Sequence, residues 1–197
     1  MNVLVIAEDA HNDQHILRPL IRAMLAYIGK PQAKLDVTSS RPGGVRRATT
    51  WNALAEIIDE NREVHLFLLI VDRDGVAGRR ERLNQLEQRA VTVLNRTDKT
   101  LLAENAWQEI EVWVLAGMTD RPRNWPWRDI RAEAHAKERY FAPYAERRGL
   151  SRELGGGRSV LGREAASNYQ RIRRICPEDV RALEDRIRTW IAETGIE

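Results

Sequence analysis

An α/β fold built on a mostly parallel sheet is predicted by three features of the sequence. Leu66-Phe67-Leu68-Leu69-Ile70-Val71 is an unbroken run of large apolar residues. It is too short to span a membrane and too continuous for a strand with one wet face, so it reads as a strand buried on both faces. Residues 2–7 form a second short run rich in Val and Ile. Between and after these runs, apolar residues recur at helical spacing, which gives the order β-α-β-α-β-α of a sheet covered on both sides.

The first strand delivers Glu8-Asp9-Ala10-His11-Asn12-Asp13 to one edge of the sheet. A helix is expected over 14–28, because Ile16, Leu17, Leu20, Ile21, Met24, Leu25 and Ile28 keep i, i+3/i+4 spacing. Pro19 is placed near its first turn, where proline is tolerated, and Gly29 and Pro31 end it. Residues 34–38 read as a weak strand near an edge. The following loop carries Arg41, Arg46 and Arg47 around Pro42-Gly43-Gly44. Glycine permits close backbone approach and arginine matches phosphate oxygens, so the loop suits phosphate steering as well as an ordinary surface loop. It lacks the Lys-Ser/Thr ending of a P-loop. A second helix is expected from Thr50, an N-cap, to residue 59 or 60.

The central strand, expected over 64–71, runs into Asp72-Arg73-Asp74-Gly75. Ligands of open α/β sheets bind beyond the carboxyl ends of the strands. Residues two apart on an extended chain point the same way, and two close carboxylates repel unless a cation or proton lies between them. A hard divalent cation with oxygen ligands, Mg²⁺ or Mn²⁺, suits such a pair. A strand-ending turn also suits Asp and Gly.

A charged helix is expected over 79–95, with Leu83, Leu86, Ala90, Val93 and Leu94 inward, and a fourth strand over 100–104 that Asn105-Ala106-Trp107 breaks. Residues 108–117 read as a helix. Glu109 and Glu111 would then lie about 200° apart and could not both face one site. Two acids among apolar neighbours are costly without a partner, so one is assigned to the active region and the other to solvent. Residues 118–127 form a connector in which Arg121, Arg123, Arg128 and Arg131 interleave with Trp125 and Trp127. That mixture suits base stacking, and equally tryptophans packed under a loop. The rest reads as helical. Gly149 and Gly155-Gly156-Gly157 mark breaks, one helix is expected over 163–175, and Pro177 starts the last, with Val180, Leu183, Ile187, Trp190 and Ile191 inward. Two units are expected: an α/β core over 1–120 and a basic helical extension over 121–197 packed on it.

Composition narrows the function classes. Hydrophobic residues at 43% and charged residues at 31% fit an ordinary globular chain of 197 residues. The single cysteine, Cys176, permits no internal disulfide and no cysteine-based zinc cluster, which fits a reducing cytoplasm. The start of the chain lacks a basic region before its apolar run and does not read as a signal peptide, and no stretch is long enough for a transmembrane helix. Residues 121–197 hold 16 Arg and 1 Lys against 12 acids, or +5, within a chain of net +3. Positive charge there suits a polyanion such as nucleic acid, and also suits salt-bridged helix faces.

A glutamate after the first strand (Glu8) and an Asp-x-Asp after a later buried strand (Asp72, Asp74) resemble the Toprim fold of topoisomerases, bacterial primases and OLD-type nucleases. Glu111-Val112-Trp113-Val114-Leu115-Ala116 and the tail from Gly149 through Ile172-Arg173-Arg174-Ile175-Cys176-Pro177 resemble a stand-alone branch of small Toprim-like proteins. That branch is found beside ATPase partners and in anti-phage settings. Asp9 stands where many Toprim domains carry glycine.

The resemblance implies Mg²⁺- or Mn²⁺-dependent phosphodiester chemistry on nucleic acid, of nuclease type. Asp72 and Asp74 would hold the metal, with Glu8 as a further ligand or general acid/base. Glu111 would complete a second metal position, with Glu109 in reserve and Asp13 a further acid at the rim. Arg41, Arg46, Arg47, Arg73, Arg79 and Arg80 would contact nucleic acid. An AAA/ABC-type ATPase partner is implied, no membrane partner is, and self-association stays open. None of Tyr27, Tyr140, Tyr144 and Tyr169 has the context of a covalent nucleophile. Two other readings stand beside this one. In a receiver-like switch, Glu8 and Asp9 would bind Mg²⁺ and Asp72 would accept a phosphoryl group. In a non-enzymatic module, the same residues would bind metal or nucleic acid and act through a partner.

Overall fold

A computed structural model describes residues 1–39, 50–94 and 98–196. Its centre is a four-stranded, all-parallel sheet in the order β2-β1-β3-β4, from β1 (Asn2–Ala7), β2 (Lys34–Ser39), β3 (Leu66–Asp72) and β4 (Thr100–Ala106). Each crossover carries a helix: α1 (Ala10–Tyr27), α2 (Trp51–Glu60) and α3 (Arg79–Leu94). The chain is thus α/β with a Rossmann-like sheet, as the apolar runs require. Strand alternation divides the core. Val3, Val5, Leu66, Leu68 and Ile70 face one layer, containing α1 and the C-terminal helices. Leu4, Ile6, Phe67, Leu69 and Val71 face α2 and α3. Burying each such side chain contributes roughly 1.5–3 kcal/mol.

After β4 come α4 (Ile110–Gly117), α5 (Trp127–Ala132) and a π-helical turn (Lys137–Phe141) that runs into α6 (Ala142–Arg147). Then follow α7 (Arg158–Ser167), α8 (Tyr169–Ile175), a second π-helical turn (Pro177–Arg181) and α9 (Ala182–Thr194). Their apolar faces, including Tyr144, Leu161, Ile172, Cys176 and Ile187, belong to the same buried cluster as α1 and one face of the sheet. Trp125 packs edge-on against Tyr140, and Trp127 donates Nε1–H to the Ile175 carbonyl at 3.2 Å. These two tryptophans therefore serve as packing under the connector.

Several boundaries differ from the sequence reading. Helix α1 begins at Ala10, capped by Asp9, whose carboxylate accepts the Asn12 backbone N–H. Pro19 therefore lies mid-helix and leaves the His15 carbonyl without its usual i+4 donor. That carbonyl meets α7: a Cβ on Gly162 would lie 2.3 Å from His15 O. Strand β4 continues through Asn105 and Ala106, because both pair with the end of β3. The helix expected over 163–175 is two. At the break, Asn168 donates Nδ2–H to the Gly117 carbonyl at 3.0 Å, and Arg171 donates Nε–H to the Ala116 carbonyl at 3.0 Å. The end of α4 thereby gains partners for carbonyls the helix itself leaves open.

Candidate metal centre at the carboxyl edge of the sheet

Parallel β1 and β3 are neighbours, so their carboxyl ends meet where the crossovers diverge, the usual ligand crevice of such sheets. Glu8 follows β1 and Asp72 ends β3; the Asp72 backbone N–H donates to Glu8 Oε1 at 3.1 Å. The turn after β3 is stitched to the loop after β4. Arg73 N–H donates to the Ala106 and Gln108 carbonyls at 3.1 and 2.7 Å, Asp74 N–H donates to the Gln108 carbonyl at 3.1 Å, and Gly75 N–H donates to Gln108 Oε1 at 2.8 Å. Asp74 has φ +50°, a left-handed conformation that aspartate adopts more readily than most residues.

The start of α4 joins this edge. Asp72 Oδ1 accepts the Ile110 N–H at 2.8 Å, so one of the orphan donors of the helix lies on the aspartate. Glu109 is not helical: it precedes α4 with φ −135° and ψ 154°. Glu109 and Glu111 are therefore not bound to the separation of about 200° that two such residues have inside one helix. Both are buried, and both belong to the acid edge. Glu109 Oε2 accepts the Lys137 N–H at 2.5 Å. Glu111 is paired with Arg158, whose Nε lies 2.9 Å from Oε1.

Carboxylate oxygens of Asp72, Asp74 and Glu109 lie within 4.8 Å of one another. Three hard oxygen donors at that spacing fit a divalent cation such as Mg²⁺ or Mn²⁺ without selecting one. Glu109, the acid held in reserve on the sequence alone, supplies the third oxygen of this group. Glu8 stays beside the set, hydrogen-bonded to Asp72 and electrostatically coupled to Asp74 and Asp13.

Burial first, and then the crowding of acids, raises their proton affinity. Loss of water around the carboxyl, reinforced by Asp74 and Asp13, lifts Glu8 to about 7. Burial, with Glu111 and Asp9 nearby, lifts Asp13 to about 6. Burial, with Glu111 and Glu138 adding repulsion, lifts Glu109 to about 7. Asp72 is held well above the ordinary carboxylate range by desolvation, then by Glu111, Glu8 and Asp13. A cation bound at such an edge would displace protons.

The arginines divide. Arg79 donates Nη2–H to Asp74 Oδ2 at 3.2 Å, and Arg73 stacks on Trp107, its guanidinium carbon 3.7 Å from the ring centroid. Arg80 is held in a structural network, donating to Glu104 at 3.0 Å and Glu87 at 3.3 Å. Arg41, Arg46 and Arg47 lie outside the described residues. Asp9 is occupied as the cap of α1. Tyr144 donates its hydroxyl to Asp120, and Tyr169 donates to Glu184 at 2.7 Å. Burial, ahead of these carboxylates, pushes the Tyr144 phenol up to about 12 and raises that of Tyr169 too, which suits structural roles.

Two contributors were not legible beforehand. Gln108 organises the 73–75 turn from the β4–α4 loop, and Arg158 reaches Glu111 from α7. The only local hint was the glycine run 155–157 ahead of Arg158.

Among the described residues, no helix is long and apolar enough to cross a membrane. No family model matches the sequence, and no curated protein or solved structure matches it.

Proposed function

We propose that the acid edge is the centre of a Mg²⁺- or Mn²⁺-dependent phosphodiesterase of nuclease type, working as Toprim-like proteins do. The observation that carries this reading is the convergence of Asp72, Asp74 and Glu109 oxygens within 4.8 Å at the carboxyl ends of β3 and β4. These three would hold the cation. A bound divalent cation supplies charge neutralisation at a phosphate and lowers the pKa of water.

The other groups take roles set by their surroundings. Glu8, lifted to about 7, holds or releases a proton near neutral pH, and its Oε2 is the oxygen not accepting from Asp72. Glu111 is ion-paired with Arg158, so it is fixed in place and adds its charge to the edge. Arg73 and Arg79 supply positive charge beside the cation site for a phosphate backbone. The basic C-terminal part adds affinity for nucleic acid, and an AAA/ABC-type ATPase in phage defence is the partner this reading carries.

The test is direct. The pure protein is incubated with single- and double-stranded DNA and RNA in Mg²⁺, Mn²⁺ or EDTA, beside Asp72→Ala. Metal-dependent cleavage lost in the variant supports the nuclease. Binding without cleavage under every metal leaves a partner-dependent binding module. Labelling of Asp72 by a small phosphodonor instead identifies a receiver-like switch, a reading weakened by the capping role of Asp9.

A further inference from the structure

A cavity lies beside the 73–75 turn. Its volume is about 280 Å³, and its walls include Arg73, Arg79, Arg80, Val76 and Trp107. The guanidinium groups of Arg73 and Arg79 each keep a buried nitrogen, Nη1 and Nε, that makes no hydrogen bond. The Arg79 side chain is only 9% exposed. Buried polar atoms without partners are rare in folded proteins, and each calls for a ligand, an ion or a water.

Charges around the cavity favour an anion. Its two acids are already engaged: Glu104 with Arg80 and Arg186, and Glu178 with Arg131. Arg80 is consumed by Glu104 and Glu87. Arg79 shares Nη2 with Asp74 but keeps Nε, and Arg73 has no carboxylate within ion-pair distance among the described residues. The Arg73 guanidinium carbon also sits 3.7 Å over the Trp107 ring centroid, which positions its fork. Two fixed guanidinium groups with free donors match the oxygens of a tetrahedral oxyanion.

We propose that this cavity is an oxyanion site that binds a phosphate group, with Arg73 and Arg79 as donors and Trp107 as its wall. Its place in the reaction rests on the nuclease reading: the Arg79–Asp74 contact joins the cavity to the acid edge. A strand whose scissile phosphate lies over Asp72 would then place a neighbouring phosphate between the two arginines. Binding itself needs no metal and no cleavage.

The test uses the full chain in EDTA, titrated by calorimetry with inorganic phosphate and, separately, with a short single-stranded oligonucleotide. Saturable 1:1 phosphate binding is expected, weakened at least tenfold in Arg73→Gln and in Arg79→Gln, and unchanged in Arg18→Gln, whose side chain pairs with Asp36 of β2. Val76→Glu puts a carboxylate at the mouth from a residue that is 47% exposed, so it should weaken binding without disturbing buried contacts. Competition between phosphate and the oligonucleotide, lost in Arg73→Gln, assigns the site to strand phosphates. Phosphate binding without competition assigns it to free phosphate. No saturable phosphate binding, or affinity unchanged in Arg73→Gln and Val76→Glu, overturns the proposal. Asp72→Asn separates the two readings, because it should remove cleavage while phosphate still binds in EDTA.

Discussion

The backbone N–H of Asp72 donates to Glu8 Oε1 at 3.1 Å, so residues 64 apart in sequence meet at the ends of adjacent parallel strands. That bond brings together the acids of two crossovers. It also lowers the proton affinity of Glu8, yet burial and neighbouring acids outweigh it and leave Glu8 near 7.

Stability of the metal-free protein should fall as pH rises. Glu8 and Glu109 titrate near 7 in the folded chain against an ordinary 4.5, and Asp13 near 6 against 3.8. Between those limits the folded state holds more protons than the unfolded one, so each step up in pH favours unfolding. In EDTA the melting temperature should be higher near pH 5 than near pH 7.5. Added Mn²⁺ should raise it more at pH 7.5 than at pH 5.5, since protons then compete less. Equal Mn²⁺ shifts at both values would contradict the metal assignment.

Asp72→Asn should abolish metal-dependent cleavage while stabilising the fold in EDTA. Asparagine keeps an oxygen for the Ile110 N–H and removes a charge repelled by Glu111, Glu8 and Asp13. A gain of about 0.5–2 kcal/mol is expected, the usual range for relieving a site strained by function. Urea denaturation measures it, and a loss of stability would mean the carboxylate is a structural anchor.

Arg158→Gln should shift metal binding to higher pH. Glu111 would lose its partner, and the added negative potential would bind protons more tightly at Asp72 and Asp13. Calorimetric titration with Mn²⁺ across pH 5.5–8 reads the displacement; an unchanged profile would detach Glu111 from the site.

Gly162→Ala should destabilise the protein by about 1–3 kcal/mol, the ordinary result of overpacking. The new Cβ would fall 2.3 Å from the His15 carbonyl oxygen, so α7 and α1 must separate. Denaturant midpoints report the loss.

Asp179→Ala should cost about 3–5 kcal/mol, as expected when one partner of a buried ion pair is removed. Asp179 Oδ2 accepts from Trp107 N, Trp113 Nε1 and Arg131 Nη1 at 3.0, 2.7 and 3.0 Å. Its loss also frees the Trp107 loop, so Mn²⁺ affinity should fall along with the melting temperature.

Periodicity and apolar runs were enough to order the strands and helices, because a strand buried on both faces has few sequence disguises. Pro19 falls mid-helix, not near the first turn, because the helix start is set by capping at Asp9 and not by the first apolar residue. The two glutamates near α4 differ from the helical expectation for a similar reason: Glu109 sits one residue outside the helix, where its side chain obeys no helical angle. Arg73 and Arg79 could be singled out as basic residues beside Asp-x-Asp, but their orphaned donors depend on which neighbours fill the surrounding space.

From the amino-acid order alone came the α/β class, the acids at strand ends and the basic C-terminal part, since each depends on local spacing or composition. Tertiary structure alone decided that Glu109 joins Asp72 and Asp74, that Arg158 quiets Glu111, and that Arg73 and Arg79 share a cavity. Charges act through space: what a carboxylate or guanidinium can do is settled by partners brought near from distant parts of the chain, and no local pattern encodes those distances.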